Sequence, residues 1–497
     1  MTPPRLLIQS RLIRPLLTAA CGLLVLLGRL SPAVAQFGGG QGGGFGGGQQ
    51  GGQQGGQQGG QQGGQQGGGQ GAGGILVDAQ GVVKPVFLRD PSGRLTAKRR
   101  EELAARDLNP EVVRTTPLRK ISLVKLEQAC AQYAGKKQPV PAEMQFLAGL
   151  QRIDYVFADP DGHDLVIAGP AEGFLVDPTG RALGAVSKRP TLRLDDLLVA
   201  LRSQQQGSGQ IRCSIDPTPE SLARLQRFLA ATSGALPPDQ AKAKFAKLGE
   251  ILGLQTISVS GVPAESHFAR MLVEADIRMK RLSIDVEPPP VKGFRSHLDL
   301  VQKNENSLQR WWFTPLYDPF VRSDDGLAFQ LAGQRVQLMS QEELVSPTGQ
   351  RVDAPFTHVS AQKFARQFTD RYEEIAAAAP IFAELQNAID LAVLAALFRK
   401  EDLPTRIGWT PGLFLDEEAA PTDRELVPRQ IASLSNYKQA NRGLFIAQVG
   451  GGVVIHPDQV MRTMEYRKDE AGTVSERRKT SFRPEDRQAG SADWWWD

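Results

Sequence analysis

Phe174-Leu175-Val176-Asp177-Pro178-Thr179-Gly180-Arg181-Ala182-Leu183-Gly184 is the stretch on which the fold reading turns. An aspartate accepts local backbone hydrogen bonds, a proline presets φ at the next position, and a glycine suits the fourth. This is the chemistry of a type I turn. Short apolar runs flank it, so the segment reads as a β-hairpin. The signature recurs at Asp90-Pro91-Ser92-Gly93, Asp159-Pro160-Asp161-Gly162 and Ser346-Pro347-Thr348-Gly349, with a looser copy at Asp78-Ala79-Gln80-Gly81. Ile153, Tyr155 and Phe157 alternate as a half-buried strand requires.

Helical patterns lie between the hairpins. Thr218 can cap a helix with Pro219 at its first position and Leu222, Leu225 and Leu229 on one face. Pro238 opens a second, with Phe245, Leu248 and Leu252 aligned and Gly253 as its stop. Residues 254–259 are β-branched and read as a strand. Residues 264–282 form a long amphipathic helix with the stripe Phe268, Leu272, Ala275, Met279 and Leu282. Residues 311–320 read as strand and loop. Residues 362–379 and 381–400 read as two helices broken at Pro380, and residues 443–456 as a late hairpin through Gly450-Gly451-Gly452. Hairpins and helices without regular βαβ alternation predict an α+β fold: short hairpins with type I turns packed with amphipathic helices.

Outward from this body, the N-terminus carries Arg5, Arg11 and Arg14, an apolar run over residues 16–27, and Ala33-Val34-Ala35. That is the three-part pattern of a secretory signal peptide over residues 1–35, and the run is shorter than the roughly 20 residues a membrane span needs. Residues 36–74 are almost wholly Gly and Gln. They have little apolar surface to bury and read as a disordered tether. The rest divides into residues 75–145, a body at 146–290, a second α+β region at 291–460 with long helices, and a charged mobile tail at 461–497 ending in Trp494-Trp495-Trp496-Asp497. The exposed aromatic tail would dock on a partner or a membrane surface; the alternative is a tail folded back on the body.

The whole chain has 58 basic and 54 acidic residues. Arg5, Arg11, Arg14 and Arg29 fall in the leader, so its removal leaves 54 against 54. A formally neutral body lacks the basic surface that nucleic-acid binding needs. Two cysteines remain, Cys130 and Cys213, too few for a disulfide scaffold. They either form one bridge or pack as free thiols.

Motifs for catalysis are sparse. There is no Walker loop, no His-Glu-x-x-His, no paired Cys-x-x-Cys and no Gly-x-Ser-x-Gly. The five histidines lack ligand spacing, and neither a metal nor a cofactor is expected. Asp159-x-Asp161-Gly162-His163-Asp164 has the start of a calcium loop, but Pro170 stands where the bidentate glutamate belongs; a hairpin turn explains it better. Ser122-x-x-Lys125 on a predicted helix has the spacing of penicillin-recognising acyl enzymes without their companion motifs, and a solvated face explains it better. His267, Arg270, Glu274, Arg278 and Arg281 share one face of the 264–282 helix, with Glu274 and Arg278 at pairing distance. A carboxylate beside His267 suits acid–base work; a solvated or interface face is the plainer reading. Asp390 sits inside an apolar helix, where a carboxylate must be paired or protonated. Trp311 and Trp312 are neighbours, so a strand sends them to opposite faces.

Several segments together resemble a known family. They are Leu118-Arg119-Lys120-Ile121-Ser122-Leu123, Ala168-Gly169-Pro170-Ala171-Glu172-Gly173, Leu194-Asp195-Asp196-Leu197, Cys213-Ser214-Ile215-Asp216-Pro217, Glu274-Ala275-Asp276-Ile277-Arg278-Met279-Lys280-Arg281 and Leu385-Gln386-Asn387 with Asp390. They resemble the planctomycete secreted family known as domain of unknown function 1598, over residues from about 74 to about 456. The resemblance implies export. It supplies no activity and no site residues, but directs attention to Asp276, Arg278 and Asp390. Three functions follow as expectations. The first is a non-catalytic cell-envelope protein on a tether, secreted to the periplasm or cell surface, binding an unidentified envelope protein or polymer. The second is a hydrolase-like enzyme with a site near His267, Glu274 and Asp390. The third is a glycan-binding module that uses the tryptophans.

Overall fold

A computed structural model describes residues 73–77, 83–87, 104, 108–205, 209–231, 247–302, 308–440, 443–447, 449–483 and 493–497. The leader at 1–35, the tract at 36–72, the Asp90-Pro91-Ser92-Gly93 turn and the helix start at Pro238 lie outside the described residues.

The strands are β1 Gly73–Val77, β2 Val83–Phe87, β3 Thr116–Ser122, β4 Tyr155–Asp159, β5 Asp164–Ala171, β6 Phe174–Val176, β7 Ala182–Gly184, β8 Ile211–Asp216, β9 Leu254–Ser260, β10 Leu308–Arg322, β11 Ala328–Val345, β12 Arg351–Asp353, β13 Gln430–Ala432, β14 Asn436–Ala440, β15 Gly443–Ala447, β16 Val449–Ile455, β17 Tyr466–Lys468 and β18 Trp495–Trp496. The longer helices are α1 Leu123–Gly135, α2 Leu194–Ser203, α3 Pro219–Ala231, α4 His267–Ser283, α5 Val359–Asp370, α6 Tyr372–Ala378, α7 Pro380–Lys400, α8 Pro457–Thr463 and α9 Thr473–Ser481. The fold is α+β, as the hairpin and helix patterns predict.

Local chemistry explains most elements. In the β6–β7 hairpin the Asp177 carboxylate accepts from the Thr179 and Arg181 amides at 2.8 and 3.1 Å, and Gly180 takes φ 83°. The β4–β5 and β11–β12 hairpins turn at Asp159-Pro160-Asp161-Gly162 and Ser346-Pro347-Thr348-Gly349, and β1 pairs with β2, with the looser copy at 78–81 outside the described residues. Ser266 caps α4 by accepting from the Ala269 amide at 3.1 Å, and Thr218 caps α3 through the Ser221 amide at 3.2 Å. Pro380 stands at the first position of α7, where its missing N–H is harmless.

One twelve-stranded sheet organises the body. Its order is β13-β9-β8-β16-β10-β11-β4-β5-β3-β18, with β12 on β11 and β17 on β10. Strands from 75–145, 146–290, 291–460 and 461–497 all join it. The main core lies on one face, where α4 packs on β8 and β16, α5 and α7 on β11, and α1 on β5. α7 is long and apolar enough to cross a membrane by length and composition, but every residue from Ile381 to Phe398 is buried inside this core. A smaller core on the other face joins Phe157, Val166, Ala168 and Ala328 to Val474 of α9 and Trp496. Hence Tyr155 and Phe157 belong to a strand covered on both sides rather than a half-buried one.

Three expectations need correction. Gly450-Gly451-Gly452 is no hairpin tip: β15 pairs with β14, while β16 runs between β8 and β10 in the middle of the sheet. Gly451 has φ 126°, and a Cβ there would lie 1.6 Å from the Trp311 carbonyl oxygen. Glycine serves close approach of three backbones here, not a turn. Second, the tail expected to be mobile is ordered where described. β17, α9 and β18 pack on the body, and Trp494, Trp495 and Trp496 are all buried because β18 extends β3. Third, α4 is buried nearly all round, because it lies on the sheet with α2 and α7 against it.

Candidate functional site

The polar residues of α4 do not share one solvated face. Glu274 does not pair with Arg278 one turn on. Instead Arg278 Nε donates to Glu287 Oε1 at 2.7 Å, and Glu274 receives Arg181 Nη2 at 2.6 Å. Arg181 also donates through Nε to Glu384 of α7 at 2.8 Å. Burial opposes the Arg181 charge, but Glu384 and Glu274 outweigh it and hold its pKa above the ordinary guanidinium range. Burial likewise opposes ionisation of Glu384, yet Arg181, His267 and Arg270 pull its carboxyl below the usual value. His267 Nδ1 lies 2.8 Å from Asp196 Oδ2, so the His267 carboxylate partner comes from α2 and not from its own helix. Arg181, Asp196, His267, Glu274, Glu287 and Glu384 are all buried, while Arg270 and Arg278 are partly exposed.

Asp276 and Lys280 make a second network, one turn apart and under the sheet. Lys280 Nζ donates to Asp276 Oδ2 at 2.9 Å, the Ile215 carbonyl at 3.1 Å and the Gly451 carbonyl at 3.3 Å. The β8–β16 pairing ends at Ser214 and Gly452, one step short of these two carbonyls. The ammonium therefore satisfies acceptors that the glycine run frees from the ladder. Asp276 is fully buried. Burial raises its pKa to about 6, although Lys280 pulls the other way. The cavity beside Lys280 holds about 20 Å³, room for one water-sized group and no substrate.

Asp390 belongs to a third network. It accepts from the Tyr317 hydroxyl at 2.6 Å and from Arg335 Nη1. Arg335 also donates to Asp154 at 2.9 Å and to the Ile153 carbonyl at 2.7 Å. Burial raises the Asp390 pKa, with Arg335 and Tyr317 opposing. A carboxylate in an otherwise apolar helix thus clamps α7 to β10 and β11. Asp276, Arg278 and Asp390 do not converge on one another.

The remaining candidates resolve in the same structural sense. Ser122 is not inside a helix; it caps α1 by accepting from the Lys125 amide at 3.1 Å and donates to Asp164 Oδ1 at 2.6 Å. Among the described residues no group of three or more His, Cys, Asp and Glu side chains is placed to hold a metal ion. Cys130 and Cys213 are free, buried thiols and form no bridge. α1 packs on β5, five places from β8 in the sheet, on the order of 24 Å at strand spacing and past disulfide reach.

Sequence reasoning passed over an open polar surface of the described residues. On the sheet face away from the main core, Ser258, Ser214, Gly452, Trp312 and Met339 lie in register across β9, β8, β16, β10 and β11. Trp311 points inward and is fully buried, while Trp312 is half-buried on this outer face. Arg310 stacks on Trp312, 5.4 Å from the ring centroid. Beside them a groove of about 710 Å³ is floored by Asp216, Thr256, Ser258, Arg310, Glu343 and Arg351. Arg351 Nη1 bridges Asp216 at 2.8 Å and Glu343 at 3.2 Å. The alternation in β8 and β10 marks these outward positions. Nothing local in the sequence says that the described elements leave this face uncovered.

Neither the curated proteins nor the solved structures contain a match to this chain. A family model described as protein of unknown function DUF1598 matches residues 213–297, a segment that runs from Cys213 in β8 through α3, β9 and the Asp276–Lys280 pair of α4 to His297.

Proposed function

We propose that this chain is a non-catalytic binding protein of the cell envelope, exported through its N-terminal leader, and that the groove on the open sheet face takes a neutral polysaccharide chain. The groove itself carries the reading. It joins hydroxyls, carboxylates and guanidinium groups beside a half-exposed tryptophan, which suits the polar edges and apolar faces of sugar rings. Arg351 neutralises Asp216 and Glu343, so the groove offers no strong field to an ionic ligand. An enzymatic reading would need an acid–base pair facing water, whereas His267, Glu274, Asp276 and Asp390 are sealed in three separate networks. The test is calorimetric titration of the chain with soluble envelope polysaccharide. Trp312→Ala and Arg310→Ala are expected to weaken binding about tenfold, or 1.4 kcal/mol, with thermal midpoints little changed. Absence of binding, or binding indifferent to both substitutions, overturns the proposal.

A further inference from the structure

β18 is a short strand from the C-terminal end of the sequence, added to the outer edge of β3. Trp495 and Trp496 pair with Ile121 and Lys120, and the Ser122 amide donates to the Trp494 carbonyl at 2.9 Å. Trp496 Nε1 donates to the Ser481 carbonyl at 3.1 Å. The acidic side chain that follows meets a fully buried arginine: Arg119 Nε donates to Asp497 Oδ1 at 2.7 Å and Nη2 to Oδ2 at 3.1 Å. Arg114 adds a second guanidinium at 2.8 Å from Oδ2.

Arg119 is held independently of this segment. Its Nη1 donates to the carbonyls of Val112 at 3.0 Å and Ala148 at 2.6 Å, and its Nη2 to those of Glu111 at 3.1 Å and Arg114 at 3.0 Å. Four neutral acceptors fix the guanidinium through its Nη groups and leave the Nε hydrogen aimed at a carboxylate, with the 3.1 Å Nη2 contact to Asp497 sharing a hydrogen with a carbonyl. Its plane also stacks 4.6 Å from the Trp495 ring centroid. A preset cation, an outer strand edge whose backbone groups take a partner strand and an aromatic slot are the parts of a site that binds peptide by strand addition.

We propose that the β3 edge with Arg119 is an acceptor site for an extended peptide carrying consecutive tryptophans followed by a carboxylate, and that residues 493–497 are its ligand, held in cis. The site takes this segment as a separable ligand rather than as an integral strand of the fold.

The test uses the full chain with a protease recognition sequence replacing residues 485–491, cut after folding. A fluorescently labelled Asp-Trp-Trp-Trp-Asp peptide in excess is expected to exchange into the cut protein and reach saturation. A peptide with the Asp497→Asn change is expected to bind about tenfold weaker or worse, since it loses the charge-assisted pair to Arg119. If cutting unfolds the protein, or if the labelled peptide never enters, the segment is an integral strand and the proposal fails. Equal binding of the two peptides also overturns it, because recognition would then not run through Arg119.

Discussion

Two buried ionisable residues set opposite pH dependences. Asp276 titrates near pH 6 when folded, against about 3.8 for a free carboxyl, because burial disfavours its charge. Its stabilising contribution is complete below about pH 4 and is lost as pH rises through 6, up to about 3 kcal/mol. His297 is held to about 3 by burial, with His358 adding to the shift, against 6.5 for a free imidazole. It packs edge-on to Trp311 at 4.8 Å and shares a 3.2 Å contact with Ser360 Oγ. Its contribution is present above pH 6.5 and falls as the unfolded chain protonates, by up to about 5 kcal/mol near pH 3. Urea unfolding of wild type, Asp276→Asn and His297→Gln between pH 4 and 7.5 separates the two. The cost of Asp276→Asn is expected to shrink with rising pH, and that of His297→Gln to grow. Parallel curves for all three proteins would contradict both assignments.

At the scale of elements, β16 leaves no room for a side chain at Gly451 or Gly452. Gly180, at a hairpin tip, also has positive φ, but a Cβ there meets nothing within 4 Å. Gly180→Ala should cost about 1 kcal/mol from backbone strain alone. Gly451→Ala adds a clash with the backbone of β10 and displaces a carbonyl that Lys280 satisfies. We expect it to abolish cooperative thermal unfolding, while Gly180→Ala melts as one transition a few degrees lower. A cooperative Gly451→Ala transition close to wild type would refute this account of β16. Packing between elements also explains why the α4 motif reads ambiguously. Helical spacing pairs Glu274 with Arg278 on paper, but Glu274 meets Arg181 of the β6–β7 turn and His267 meets Asp196 of α2, both far away in sequence, while Arg278 turns to Glu287 beyond the helix end.

Across the whole molecule, the body holds together without covalent cross-links among its described residues. Both thiols are buried, and burial pushes the Cys130 pKa up to about 12, with Glu127 adding to it. Cys213 is raised likewise by burial, then by Asp276. Thiolate is therefore scarce at neutral pH. An aromatic disulfide reagent should label neither cysteine until the chain unfolds, and a reductant should leave the thermal midpoint unchanged. A midpoint that drops on reduction would reveal a bridge.

The sequence by itself determined the Asp-Pro-x-Gly and Ser-Pro-x-Gly hairpins, the Thr218 cap and the identity of the core helices, because turn chemistry and apolar periodicity act over a few neighbouring residues. Asp177-Pro178-Thr179-Gly180 and the Thr218 cap needed no tertiary partner to be legible. It also placed Asp390 in an apolar helix, where a buried carboxylate demands a partner, without showing that the partners are Tyr317 and Arg335. Only the tertiary structure decided that Gly450-Gly451-Gly452 lies mid-sheet, that the three C-terminal tryptophans are buried at a strand edge, that Asp276 serves Lys280, and that Trp312 faces an open groove. Those facts depend on which strands lie side by side, and strand order follows from burial summed over the whole sheet rather than from any local run of residues.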